Sequence, residues 1–180
     1  TDSELSLVLR GADKLDTPWR EFVRLLVYTA GRRSEVAAAP WSEFSGLDST
    51  DGKWEIPGER TKNGRPHILP LPVDASSMLH RMPRIGEAGL AFTVTGKTPI
   101  MGFSDAKERL DAAMIEIARE DARKAGEDPD AVSVAPWRWH DIRRTVATGM
   151  AAKRIAPHVV EAVLNHASGV LSGVAGVYNR

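Results

Sequence analysis

Two residues three positions apart, His140 and Arg143, carry the first chemical signal in the chain. They lie in the stretch Trp137 to Met150, where Ile142, Val146 and Met150 recur every fourth position and predict a helix with one apolar stripe against a core. At that spacing His140 and Arg143 are neighbours on one helix face, beside the stripe. A guanidinium offers a planar fork of donors suited to phosphate or carboxylate, and an imidazole carries protons near neutrality. The pair suggests a phosphate site. The helix taken alone leaves a second reading open, with His140 as a polar residue of the helix start and Arg143 as a surface charge.

Further polar residues extend the set. Gly31 marks a break between two helices, and Arg32 opens the second of them, Arg33 to Ala38. The macrodipole opposes an arginine at a helix N-terminus, so Arg32 is either surface noise or placed to bind an anion beside free backbone donors. Glu35 stands three residues behind it. Lys62 falls in Thr61 to Arg65, the tip of a predicted hairpin, where Asn63-Gly64 is a strong turn signal because both residues tolerate positive φ. A loop lysine is ordinarily a solvated charge. His166 ends a predicted helix, a position where the dipole favours its charged form, which suits an anion contact as well as a plain cap. Tyr178 follows a stretch of small residues, Ser168 to Gly176.

The elements that must position these groups are mostly helical. Leu5, Leu7, Val8, Leu9 and Leu15 predict a short helix that Gly11 weakens. Asp16-Thr17-Pro18 is a start signal for a core helix with Phe22, Leu25, Leu26 and Thr29 inward. From Phe44 to Leu71 short β segments take over, Lys53 to Ile56 and His67 to Pro70, punctuated by Pro57, Gly58 and Pro66. A helix over Val73 to Met82 follows, then an irregular stretch with one short strand at Leu90 to Val94. Ser104 reads as the cap of a long helix with Leu110, Ala113, Met114, Ile117 and Ala118 on its apolar face, ending near Gly126. Pro129 to Pro136 is a loop, and Ala156 to Leu164 a final helix with Val159, Val160, Val163 and Leu164 inward.

Composition narrows the function classes. The 180 residues fit one domain, and no apolar run approaches the roughly 20 residues needed to cross a bilayer. The absence of cysteine removes disulfides, thiol catalysis and zinc-thiolate sites. No glycine-rich phosphate loop with its lysine is present, so nucleotide hydrolysis has no footing. The 24 basic and 24 acidic residues sum to zero net charge, which counts against a freestanding nucleic-acid binder. A local basic cleft is still compatible with that sum, because Glu116, Glu120, Asp121, Glu127, Asp128 and Asp130 cluster away from the arginine-rich stretches.

In their order along the chain, these residues resemble the boxes of the tyrosine recombinases, the phage-integrase family, in its prophage or genomic-island form. Thr29 to Glu35 matches the first arginine motif, with Arg32 as the arginine and Glu35 three residues later. Lys62 falls where the family has its hairpin lysine, and His140 and Arg143 match the His-any-any-Arg box. His166, preceded by Leu164 and Asn165, matches the third histidine box, and Tyr178, in Val-Tyr-Asn-Arg, the nucleophile. The resemblance runs from about Asp2 to Arg180. Each box is weak alone, but five in order and spacing are specific. Two positions depart from the pattern: Ala30 stands where glycine is usual, and Pro40 precedes Trp41 where an arginine or leucine-arginine pair is common.

The resemblance implies a mainly α fold with a small antiparallel β hairpin or meander, the family's catalytic-domain fold. It implies that residues 1–180 are a C-terminal catalytic domain, normally preceded by core-binding and arm-binding domains, and monomeric when isolated. The implied activity is site-specific recombination, integrating or excising a mobile element through a 3′-phosphotyrosyl intermediate without metal, ATP or cofactor. Tyr178 would attack the scissile phosphate and His140 accept its proton. Lys62 would protonate the departing 5′ oxygen, while Arg32, Arg143 and His166 stabilise the phosphorane. Glu35 would orient the cations, and Asp141 either do the same or start its helix. The implied partners are double-stranded DNA attachment sites, further subunits forming a tetramer on DNA, an excisionase and a DNA-bending host factor, in the cytoplasm and away from membranes. Two other classes share these residues: a DNA-binding regulator that no longer recombines, and a type IB topoisomerase-like enzyme that nicks and reseals one strand.

Overall fold

The computed structural model describes residues 1–166. The first helix, α1 (Asp2–Ala12), starts at a capping box in which the Thr1 side chain accepts from the Glu4 amide and the Glu4 side chain answers the Thr1 backbone. Gly11 does not end it early. A Cβ there would lie 2.9 Å from Met114 Cγ and 3.0 Å from Leu110 Cδ1, so the glycine is where α1 approaches the long helix α5 (Phe103–Ala125) most closely. Close packing offsets the propensity cost of about 1 kcal/mol that a mid-helix glycine carries.

The second helix, α2 (Trp19–Thr29), buries Phe22, Val23, Leu25 and Leu26 as its spacing predicts. Its start differs from expectation, since the Asp16 backbone carbonyl, not its side chain, accepts from the Trp19 amide at 2.9 Å. Phe22 is the hub of the core. Its ring lies 5.6 Å from Trp19, 6.0 Å from Phe92, 5.8 Å from Phe103 and 5.7 Å from Trp139, joining α2 to α5 and to α6 (Trp139–Ala152). The predicted cap at Ser104 is displaced because Phe103 already belongs to α5, and Gly102 takes the capping position at φ 85°. The far end of α5 stops at Gly126, φ 74°, as the sequence indicates.

Between α3 (Arg33–Ala37) and α4 (Val73–Arg81) lie three antiparallel strands, β1 (Phe44–Ser45), β2 (Lys53–Ile56) and β3 (His67–Pro70), in the order β1-β2-β3. Alternation sends Trp54, Ile56, His67 and Leu69 inward. The expected strand at Leu90 to Val94 does not form. Leu90 makes one isolated bridge with Pro40, and the Thr93 hydroxyl then turns the chain by bonding Thr98 O at 2.7 Å and accepting from Gly96 N at 2.9 Å. The last described helix is α7 (Pro157–Val163), which buries Val160 but leaves Val159 exposed, contrary to its predicted inward place.

One buried charged group holds the link between β2 and β3 to the body. Glu43 accepts from Trp54 Nε1 at 2.9 Å and from Arg60 Nε at 2.6 Å, while Arg60 also donates to the carbonyls of Ala38 and Glu35. Removing one member of such a pair strands the other charge. Glu43→Ala should lower unfolding stability by about 3 kcal/mol and Glu43→Gln by clearly less, measured by urea denaturation; equal losses would show that the charge contributes nothing.

Candidate active site

Arg143 is the most buried of the cationic candidates, 5% exposed on α6. Its helix divides its apolar stripe between two clusters: Ile142 enters the main core, whereas Val146, Ala147 and Met150 pack with Ala30, Val160 and Leu164. Arg143 sits where they meet. Its Nη1 donates to Ala30 O at 2.6 Å and its Nη2 to Leu164 O, so one guanidinium ties the ends of α2 and α7 to α6. The acceptors have a structural reason to be there. The last carbonyls of a helix lack intrahelical partners, and around the end of α7 those of Ala162, Leu164 and Asn165 accept from His67, Arg143, Arg32 and Asn63.

Ala30 takes the left-handed conformation that ends α2, φ 49°, the conformation for which glycine is favoured. Gly31 serves a different need, since a Cβ there would lie 2.8 Å from Val36 Cγ2 and 2.9 Å from Thr29 Oγ1. Burial, and next the neighbouring charge of Arg32, push the Arg143 pKa down to about 10, with Glu35 and Glu161 working the other way. Arg143 therefore remains a cation at neutral pH.

Arg32 precedes α3 in an extended conformation, donating Nη1 to Glu35 Oε1 at 2.9 Å and Nη2 to Asn165 O at 3.4 Å. Glu35 is buried, and its Oε1 also accepts from the Lys62 amide at 3.3 Å. The carboxylate thus holds a cation and the lysine loop at once. The loop is not a two-residue hairpin turn. Ten residues separate β2 from β3, and Gly64 has positive φ while Asn63 does not. Lys62 itself is exposed.

Arg32, Lys62, His140 and Arg143 line one cleft of about 600 Å³, together with Arg33, Lys107 and Arg138 and without any acidic residue. An aromatic wall of Phe103, Trp137 and Trp139 backs it. Arg33 lies 4.7 Å over the Phe103 ring, and Lys107 Nζ lies 3.9 Å over Trp137. Lys107 is also bonded to Asp111, which accepts from Trp137 Nε1 at 2.9 Å. The Trp137 and Trp139 rings stand edge to face, 5.8 Å apart. Such a cleft can hold a phosphate between fixed guanidinium groups and carry a flat or polyanionic ligand past them.

The other sequence candidates fall as follows. His140 is exposed in the first turn of α6 and faces the cleft. Asp141 is a helix-start residue, accepting from the Arg138 amide at 2.8 Å. His166 is not among the residues lining the cleft; its Nδ1 lies 3.3 Å from Glu161 Oε2, the carboxylate on the preceding helical turn. Tyr178 lies outside the described residues, as does the stretch Ser168 to Gly176. Sequence reasoning overlooked His67, whose inward place was readable from its alternation with Leu69. It donates Nε2–H to Ala162 O at 3.1 Å, the carbonyl being unable to donate. Burial holds its pKa below the ordinary value, partly opposed by that bond and by Glu35, with the charges of Arg143 and Arg32 adding to the depression.

Comparison with known proteins bears on the family and the fold. A family model described as the phage integrase family matches residues 1–174. No curated protein matches the chain. Among solved structures, the XerH site-specific recombinase bound to difH substrate in a pre-cleavage complex is 18% identical with a TM-score of 0.63, over 93% of this chain and 47% of that one. The post-cleavage complex of XerH with palindromic difH gives 18% and 0.62, over 100% and 49%. The integrase of transposon Tn1549 in complex with circular intermediate DNA gives 15% and 0.53, over 95% and 56%. At such identities the likeness is one of fold, a mainly helical domain with a small antiparallel sheet. The chain spans about half the length of the chains it matches.

Two outcomes are expected. Sulfate or inorganic phosphate should raise the melting temperature of the chain, by an amount equivalent to about 2.7 kcal/mol at a hundred times its dissociation constant, and Arg32→Ala should remove the effect. The same rise with chloride at matched ionic strength would show general screening instead. His67, whose folded pKa is depressed, takes up protons more readily when unfolded, so stability is full above about pH 6.5 and declines as pH falls below it. His67→Gln should flatten that decline in urea midpoints between pH 7.5 and 5.5; an unchanged slope would assign it to other groups.

Proposed function

The chain belongs to the phage integrase family, and on that premise we propose that it is the catalytic part of a tyrosine recombinase that breaks and rejoins duplex DNA at defined sites. The observation that carries this reading is the acid-free cleft to which three separate segments bring Arg32, Lys62, His140 and Arg143. Arg32 and Arg143 hold the scissile phosphate and take up the charge of the phosphorane, with His166 as a further donor. Tyr178 Oη forms the new bond to phosphorus, its proton passing to His140, while the bond from phosphorus to the 5′ oxygen breaks. Lys62 gives that oxygen a proton as it leaves. The free 5′ hydroxyl of a partner strand then reverses the steps, so the phosphotyrosyl bond conserves the energy of the phosphodiester. Glu35 orients Arg32 and anchors the Lys62 loop.

Because the chain spans about half the length of the recombinases it matches, we assign the rest of the DNA clamp to upstream core-binding and arm-binding domains of a larger integrase. The solved neighbours are complexes with their own DNA substrates, which supports attachment-site DNA as the partner. Assembly of four subunits on DNA, an excisionase and a DNA-bending host factor belong to the same proposal. Cytoplasmic placement belongs to it as well; among the described residues, no helix is long and apolar enough to cross a membrane.

Leaving-group chemistry separates the roles. In the intact integrase, Lys62→Ala should slow cleavage by on the order of a hundredfold or more, because a 5′ alkoxide departs poorly without a proton. On a substrate with sulfur as the bridging 5′ atom the same variant should recover most of its covalent complex, since a thiolate, with a pKa near 8.5, needs no proton to leave. Tyr178→Phe should form no covalent complex with either substrate, and Arg143→Ala should stay impaired on both. Equal slowness of Lys62→Ala on the two substrates would make the lysine a phosphate contact only.

A further inference from the structure

The loop that carries Lys62 runs between two strands of the sheet and is held in its middle by Glu35, Asn63 and Asn165. Both ends of the Asn63 amide are engaged. Its Oδ1 closes the turn, accepting from Thr61 Oγ1 at 3.1 Å and from the Arg65 amide at 3.2 Å, and also accepts from Asn165 Nδ2 at 3.4 Å. Its Nδ2 reaches across the molecule, donating to Asn165 O at 2.8 Å and Asn165 Oδ1 at 3.0 Å. Asn165 answers with its own Nδ2, 3.3 Å from Arg65 O. It can do so because it stands just past α7 in the left-handed conformation, φ 46°, which asparagine tolerates better than most side chains. The carbonyl that receives Asn63 also receives Arg32 Nη2 at 3.4 Å.

We infer that Asn63 and Asn165 are positioning residues, a clasp that sets the proton donor Lys62 at a fixed distance from the phosphate-holding Arg32. The inference rests on the reading of Lys62 as the proton donor. The Asn165 carbonyl is the common reference point: the guanidinium that holds the phosphate and the side chain next to Lys62 are both measured from it. Glu35 reinforces the arrangement from the other side, since one of its oxygens binds Arg32 and the Lys62 amide together. A proton donor must stand within hydrogen-bond reach of the departing oxygen, and a displacement of about 1 Å can cost on the order of a hundredfold in rate. The lysine side chain is long and exposed, so its reach is decided by where the backbone beneath it is held.

The two asparagines can be separated by chemistry. Asn63→Asp keeps the oxygen that closes the turn and loses the donor that makes the two shorter bonds of the clasp, to Asn165 O and Oδ1. Asn165→Gly keeps the carbonyl and takes the left-handed conformation freely, losing only the side-chain half. In the intact integrase, Asn63→Asp should slow cleavage of the ordinary substrate by on the order of tenfold to a hundredfold, and Asn165→Gly by less. Both should recover on the substrate with bridging 5′ sulfur, as Lys62→Ala does, because only the delivery of the proton is impaired. A variant whose fold is merely loosened would stay slow on both substrates. The clasp is overturned if Asn63→Asp and Asn165→Gly are equally slow with oxygen and sulfur while Lys62→Ala recovers, or if both cleave the ordinary substrate at full rate. Failure of Lys62→Ala to recover overturns the proton-donor reading itself. If Asn63→Asp does not fold, recovery or its absence in Asn165→Gly decides the matter.

Discussion

A guanidinium withdrawn from water must find acceptors, and a helix end withdrawn from water must find donors. Arg143 meets both needs at once. The carbonyls at the ends of α2 and α7 have no helical partner, and the guanidinium of α6 is buried, so each offsets part of the other's desolvation penalty. Everything in the cleft is located relative to this contact. Ala30 holds its left-handed conformation beneath it, Arg32 follows two residues later, and the α7 terminus is brought within reach of Arg32, Asn63 and His67. The lowered pKa of Arg143 reflects its burial first and the nearby cation of Arg32 second, and an anion arriving between the two would favour the charged form.

Zero net charge conceals a strongly uneven distribution. Several acidic residues pair with cations away from the cleft, Asp121 with Arg10, Asp13 with Arg24 and Glu116 with Arg123, whereas the cleft gathers six arginines and lysines with no carboxylate on its lining. Glu35, buried behind it, binds Arg32, and Glu161 pairs with His166 outside the cleft. A field concentrated in this way acts on a polyanion at close range while leaving the molecule neutral at a distance.

Side-chain types were easier to read from the chain than what those side chains bind. The core face of α2, the glycine stop of α5 and the short strands follow from periodicity and turn chemistry, and the convergence of Arg32, Lys62, His140 and Arg143 follows from the order of their motifs. The acceptors of Arg143 and Arg32 are backbone carbonyls, which every residue possesses and no motif announces. Asn63 illustrates the same limit: Asn-Gly reads as a tight hairpin, yet its amide serves a contact with Asn165, a hundred and two positions away. Gly11 reads as a weak point because the facing residues Leu110 and Met114 are similarly far away in sequence. Ser104 is not the cap, since Phe103, packed edge to face on Trp19, already lies within α5.

The paired indoles of Trp137 and Trp139 have a consequence of an optical kind. Two such chromophores 5.8 Å apart and steeply inclined couple their transitions, and both form part of the cleft wall, one beneath the Lys107 ammonium. Any strand that enters the cleft changes the dielectric around them and the charge above one of them. The site therefore contains its own fluorophores, so occupancy can be followed from within the unlabelled protein.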